Sequence, residues 1–153
     1  MPNTTVRGTE FRATIEDVER DGFGNYPLYE SWLTEVDWVP PGLATFFLCY
    51  STFNGKPSLL LDNLFVHEST RGVKIGEELV TKISYRALEL NCSSKELLVE
   101  KNNPASAFYE KFGFSETADR VYSISSENFK NLARLISALP KIKSYKVFIL
   151  IFF

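Results

Sequence analysis

The chain has 153 residues, 44% hydrophobic and 24% charged, with a formal net charge of −2. That length fits one domain with its own core, and the scattered Lys and Arg exclude the basic block of a nucleic-acid-binding surface. No apolar run reaches the ~20 residues of a membrane-spanning helix, and the polar N-terminus has no signal-peptide pattern, so a cytoplasmic protein is expected.

Residues 1–10 are polar and expected to be loose. Thr14 followed by Asp17 marks a helix start and predicts a short helix to about Arg20. Asp21-Gly22-Phe23-Gly24-Asn25 is a turn cluster. Leu28 to Val36 reads as a strand, broken by Val39-Pro40-Pro41-Gly42, and Leu43 to Thr52 as a long apolar strand. Asn54-Gly55 signals a hairpin into a third strand, Leu59 to Val66. Ile75, Leu79, Ile83 and Ala87 then recur every four residues, which is one apolar face of a helix ending near Asn91. Lys95 to Glu100 is a short strand. Pro104 suits the first turn of a helix from Ala105 to Phe112, closed by Gly113. A strand is expected from Arg120 through Ile124, then a helix from Glu127 to Leu139, capped by Ser126 and stopped by Pro140. Strands alternating with helices predict an α/β fold built on a mixed sheet flanked by helices. Residues 1–139 are expected to form one domain and 140–153 an apolar tail. Cys49 and Cys92 lack metal-ligand spacing and read as core or near-core residues, and no metal is expected.

Two segments carry the chemistry. Arg71-Gly72-Val73-Lys74-Ile75-Gly76-Glu77 leads from a strand into the amphipathic helix. A helix N-terminus offers free N–H groups and a positive dipole end, so such a loop can cradle a pyrophosphate. Taken alone, a glycine-bearing turn of this kind is often only punctuation. The second segment, Asn102-Asn103-Pro104-Ala105-Ser106-Ala107-Phe108-Tyr109-Glu110-Lys111-Phe112-Gly113-Phe114, follows the next strand.

Together these segments resemble the GNAT superfamily of N-acetyltransferases. That class has Arg or Gln, two residues, Gly, one residue, then Gly or Ala in the first loop. Its second pattern is Asn, a Tyr seven positions later, and Glu-Lys-x-Gly-Phe. Asp21-Gly22-Phe23-Gly24-Asn25-Tyr26-Pro27-Leu28-Tyr29 and Leu61-Asp62-Asn63-Leu64-Phe65-Val66 further resemble the diamine acetyltransferases, the spermidine/spermine enzyme and its thialysine-acetylating relative.

The resemblance implies acetyl-CoA as acyl donor, a small cationic amine as acceptor, and a homodimer; the other reading is a catalytically impaired, truncated family member that binds CoA weakly or pairs with a full-length relative. It implies that the backbone of Leu64, Phe65 and Val66 binds the pantetheine arm, that Arg71 to Glu77 hold the pyrophosphate, and that Asn102, Asn103, Pro104 and Ala105 contact the cofactor beyond it. Tyr109 would stand near the thioester sulfur as general acid, or else pack as an ordinary helix residue. Asp62 falls where the family has a Glu that takes the amine's proton; it is shorter, and a solvated strand residue is the other reading. A primary amine, with a pKa of about 10.4, arrives protonated and must lose a proton before attacking a thioester. His67 has no partner motif and reads as a surface residue. The acidic group Glu16, Asp17, Glu19 and Asp21 reads as a solvated helix face rather than a polyamine site.

Three features depart from the family. Lys74 replaces a glycine of the loop; its charge is expected to help bind phosphate, or else its side chain to crowd the pocket or strain the turn. The strand–helix unit that opens family members is absent before Thr9, so the fold is expected to be an N-terminally truncated GNAT-like sheet with an exposed edge. Val147 to Phe153 is uncharged and β-prone, too short to span a bilayer. It reads as an extension without function, a strand that repairs the sheet, or a membrane-surface anchor.

Overall fold

The computed structural model describes residues 12–36, 39–119, 121 and 123–134. It divides into two compact units, Met1–Gly113 and Phe114–Phe153. The expectations for residues 1–10 and for the 140–153 tail lie outside the described residues.

The first unit opens with helix α1, Ile15–Phe23. The Asp17 N–H donates to Thr14 Oγ1 at 3.2 Å, and the Thr14 N–H donates to Asp17 Oδ2 at 3.0 Å. This reciprocal capping box is the one its spacing predicts. The helix runs past Arg20 and absorbs Asp21–Phe23, which were expected to turn. The reversal comes later, at Gly24. There the Leu28 N–H donates to Asp21 O at 2.8 Å, and Gly22 lies so close to Tyr29 that a Cβ would meet its hydroxyl at 2.8 Å.

Four strands follow in the order β1-β2-β3-β4: β1 Glu30–Val36, β2 Val39–Ser51, β3 Lys56–Val66 and β4 Ser94–Leu97. β1–β2 and β2–β3 are antiparallel; β3–β4 is parallel. The Val39–Gly42 segment does not break the chain as expected but starts β2. Thr34 pairs with Gly42 and Val36 with Val39, so Glu35 faces both prolines across a bulge, where a missing N–H costs no ladder bond. Gly55, at φ +64, closes the predicted β2–β3 hairpin.

β3 carries a second bulge. Thr45 pairs with Asn63 and Phe46 with Leu61, leaving Asp62 as the extra residue. The insertion shifts the alternation by one position. Leu59 and Leu61 before it and Leu64 and Val66 after it therefore all join the core that lies under helix α2, Ile75–Glu89. Ile75, Leu79, Ile83 and Ala87 supply the helix side of that core, as their spacing predicts. Gly42 permits the contact: a Cβ there would lie 2.7 Å from Ile75 Cγ2 and 3.2 Å from Leu79 Cδ1. Asn91, at φ +54, ends the turn after α2.

β4 begins one residue before the expected Lys95 and stops at Leu97 rather than Glu100. Helix α3 is a short Ser106–Glu110, and Gly113, at φ +83, closes the turn after it. Cys92 is half-buried, but Cys49 is exposed, contrary to expectation. It sits on the sheet face away from α2, since its neighbour Leu48 pairs with the core residue Leu59.

The second unit contains α4, Ser126–Arg134. Its cap is Ser125, one residue earlier than expected: Ser125 Oγ accepts the Asn128 N–H at 3.3 Å. The helix end expected at Leu139 lies outside the described residues. In the segment expected to form a strand from Arg120, the described residues Val121, Ser123 and Ile124 lie in no strand, because none has a ladder partner.

Candidate functional site

β3 and β4 pair only from Ser58/Ser94 to Leu61/Leu97. Beyond that point β4 ends and β3 continues to Val66. The Asp62–Val66 segment therefore keeps one edge without a strand partner among the described residues. Such an edge presents backbone donors and acceptors to an extended ligand. Leu64, Phe65 and Val66 all lie on it and are half-buried, Leu64 and Val66 with their side chains against the core.

The chain leaves β3 through a short 3-10 turn, Glu68–Thr70. His67 caps that turn: its Nδ1 accepts the Ser69 N–H at 3.3 Å, which gives this exposed residue a structural role. Arg71 Nε donates to Val66 O at 3.4 Å, tying the loop to the end of β3. Gly72 has φ +87 with nothing near its missing side chain, so the loop is open there. Lys74 stands at φ 67, ψ 13, in the left-handed region that favours glycine. For a lysine that conformation costs about 1–2 kcal/mol. The strain expected at this departure is therefore present. Lys74 makes no side-chain cap, so the first-turn N–H groups of α2 are left to water or a ligand. Val73 is exposed, whereas the Ile75 side chain is buried in the core and can offer a ligand only its backbone.

The second segment meets the first at α2. A Cβ on Gly76 would lie 3.4 Å from Phe108 Cζ and 3.5 Å from Val66 Cγ2. β3, the loop–helix junction and α3 thus converge at one point. Asn103 shapes the entry to α3: its Oδ1 accepts the Ala105 N–H at 2.9 Å and its carbonyl accepts the Ser106 N–H at 3.1 Å. Asn102 and Pro104 are exposed beside it. Tyr109 is half-buried against the core, with its ring centroid 5.3 Å from that of Phe108. Burial pushes its phenol above the usual range, which keeps the hydroxyl protonated. Asp62 is exposed on the bulge, where its carboxylate accepts a bond from Asn63 Nδ2 at 2.9 Å.

Sequence reasoning missed the role of Phe108. The signal was available: an aromatic beside the candidate Tyr, and a glycine at the first helical turn that needs something to pack on it. The acidic residues of α1 take the bland role. Asp17 belongs to the capping box, and Asp21 pairs with Arg20 at 2.6 Å. Among the described residues no group of His, Cys, Asp or Glu could hold a metal, and no helix is long and apolar enough to cross a membrane.

A four-stranded mixed sheet in which β3 outlasts β4, with a glycine-bearing entry into α2, defines an α/β fold with an open strand edge beside a helix N-terminus. The chain belongs to the GNAT acetyltransferase family: the model of the acetyltransferase (GNAT) domain matches residues 29–116. Enzymes of this family are acyl-CoA N-acyltransferases. The chain is 33% identical over 103 residues to the human spermidine/spermine N(1)-acetyltransferase-like protein 1, covering 63% of this chain but only 15% of that one. It is 27% identical over 119 residues to the thialysine N-epsilon-acetyltransferase of Bos taurus, covering 72% of this chain and 69% of that protein. Among solved structures, an integron cassette protein from the mobile metagenome of V. cholerae superposes with a TM-score of 0.70 at 23% identity, over 80% of this chain and 79% of the other. A ribosomal-protein-alanine N-acetyltransferase from Brucella melitensis biovar Abortus gives 0.57 at 22% identity, over 64% and 71%.

Proposed function

We propose that the chain transfers an acetyl group from acetyl-CoA to the primary amine of a small polyamine-like or thialysine-like substrate, as a cytoplasmic homodimer. The observation that carries this reading is the meeting of Val66, Gly76 and Phe108, which joins the open β3 edge, the uncapped α2 N-terminus and the Tyr109 helix at one point. The residues present fit the acyl donor. The unpartnered edge at Leu64–Val66 suits an extended amide-bearing arm. The loop from Arg71 through Gly72 to Lys74 has open space, two cations and free N–H groups for a pyrophosphate. Acetyl-CoA supplies the activated acyl group; the chain supplies binding, orientation and proton movement.

Tyr109, kept protonated by burial, acts as the acid for the departing thiolate. Asp62, exposed on the β3 bulge, takes the amine's proton directly or through water. Backbone N–H groups on the open β3 edge stabilise the oxyanion. The choice of a polyamine-like or thialysine-like amine is supported by the names of two relatives, a spermidine/spermine N(1)-acetyltransferase-like protein and a thialysine N-epsilon-acetyltransferase.

Calorimetry with acetyl-CoA followed by an amine panel tests this. Binding and turnover are expected, and Tyr109→Phe is expected to lower turnover about 10²-fold with little change in acetyl-CoA affinity. Asp62→Asn is expected to have a smaller effect, largest at low pH. Binding without turnover of any amine would overturn the enzymatic reading.

A further inference from the structure

Glu77 lies in the loop–helix segment expected to hold a pyrophosphate, yet a carboxylate there repels an anion. The structure gives it another partner. Lys111 Nζ, just past α3, donates to Glu77 Oε1 at 2.6 Å across 34 positions of sequence. Glu77 is about one-third exposed and Lys111 more so. The ion pair with Lys111, joined by the field of Lys74, holds the Glu77 carboxyl below the usual carboxylate range, so it is charged at neutral pH. One turn away the Phe108 ring covers Gly76. Phe108 also contacts Tyr109 and Phe112, with centroids 5.3 and 5.1 Å apart. A five-residue helix has little stability of its own, so its placement depends on these attachments together with the packing of Tyr109 against the core.

We propose that Glu77 and Lys111 form a latch that positions Tyr109, and that Glu77 is a positioning residue, not a ligand of the acyl donor. The apolar seat of Phe108 on Gly76 sets the depth of α3. The Glu77–Lys111 pair sets its rotation about that seat, and Tyr109 lies between the two attachments in sequence. The latch also neutralises a carboxylate in the first turn of α2. Its kinetic arm rests on the acetyl-transfer reading; its structural arm does not.

The experiment compares the full chain with Glu77→Gln, Lys111→Met, Glu77→Gln/Lys111→Met, the charge swap Glu77→Lys/Lys111→Glu, and Lys111→Arg. Hydrogen exchange of the Phe108–Phe112 amides is read without ligand, and kcat and KM for acetyl-CoA with it. A partly exposed pair acting through position is expected to change each by about fivefold or less. Each neutral single variant should speed exchange at Phe108–Phe112 and lower kcat more than it raises KM. The double neutral variant should be no worse than either single, and the swap and Lys111→Arg should recover most of both. Additive losses in the double variant, or a swap worse than both singles, would mean that the two residues act separately, and the latch is wrong. Unchanged exchange in the singles would also overturn it. If the wild-type chain binds no acetyl-CoA, the functional reading fails, while the exchange comparison still decides the latch.

Discussion

α1 and α2 carry the same sequence signals, amphipathic spacing and acidic first turns, but end in different circumstances. α2 buries Ile75, Leu79, Val80, Ile83 and Ala87 against the sheet, and its N-terminus is uncapped and strained at Lys74. α1 buries no residue; Ile15 is 75% and Phe23 82% exposed, and its N-terminus carries a reciprocal capping box. The helix held by packing leaves its first donors open for a ligand. The helix without packing is held by local polar bonds. Amphipathicity shows where a helix forms and which face is apolar, not what that face meets.

The largest test of this contrast is a core deletion. Leu79 is 1% exposed, so Leu79→Ala is expected to cost about 2–5 kcal/mol in urea unfolding. Ile15→Ala on α1 is expected to stay within about 0.5 kcal/mol. Similar losses at the two sites would mean that α1 is packed in solution and that the contrast is false.

Lys74→Gly sharpens the same contrast from the other end of α2. Glycine adopts φ 67 without strain, though it also loosens the unfolded chain. A net gain of up to about 1 kcal/mol is expected. Acetyl-CoA affinity should also change, since the substitution removes a cation from the loop. An unchanged dissociation constant would place residue 74 outside the phosphate site.

Much of the fold is legible in the sequence. The i, i+4 series from Ile75, the Asn54-Gly55 hairpin and the Thr14–Asp17 box are local signals, and the structure realises each one. The bulges at Pro40-Pro41 and Asp62 were not legible, because a bulge is defined by what the neighbouring strand does. The proline pair was read as a break for that reason. Cys49 was misplaced because every residue of Leu43–Cys49 is apolar except Thr45, so the run hides which face looks inward. At the site, the motif spacing named both segments, but the Gly76–Phe108 contact and the Glu77–Lys111 pair that join them span more than 30 positions and show only in three dimensions.

Lys95 makes a smaller, pH-dependent prediction on the packed side. It pairs in register with the core residue Leu59, and its ammonium donates to Ser84 Oγ and to Val80 O at 3.4 Å beneath α2. Burial lowers its pKa. The folded state therefore releases this proton at lower pH than the unfolded chain does. Between the two values the unfolded state holds more protons, so stability rises with pH there, and below the folded value the cost of the buried charge is fully present. Urea titrations of Lys95→Met across alkaline pH should show that rise flattened. An unaltered slope would mean that Lys95 reaches solvent in both states.

The smallest expected effect on global unfolding lies at the cap of α1. Thr14→Ala removes the acceptor for the Asp17 N–H, a loss of about 0.5–2 kcal/mol for the helix itself. Because α1 buries nothing, that loss should appear in local opening and not in the global midpoint. Asp17 gives the same cap a pH signature. Its carboxyl lies below the usual range, chiefly because it accepts the Thr14 N–H, then through the Thr14 hydroxyl and Arg20. A depressed carboxylate stabilises the folded form above the unfolded value near 3.9 and loses that contribution as pH falls through its own lower value. Protection of the Val18–Phe23 amides, taken relative to their intrinsic exchange rates, should therefore fall in acid in the parent chain and be lower at every pH in Thr14→Ala. The exchange of Leu79–Ile83 should follow neither change. If those α2 amides accelerate together with α1 in Thr14→Ala, the two helices open as one unit, and the division between a packed helix and a locally held one does not stand.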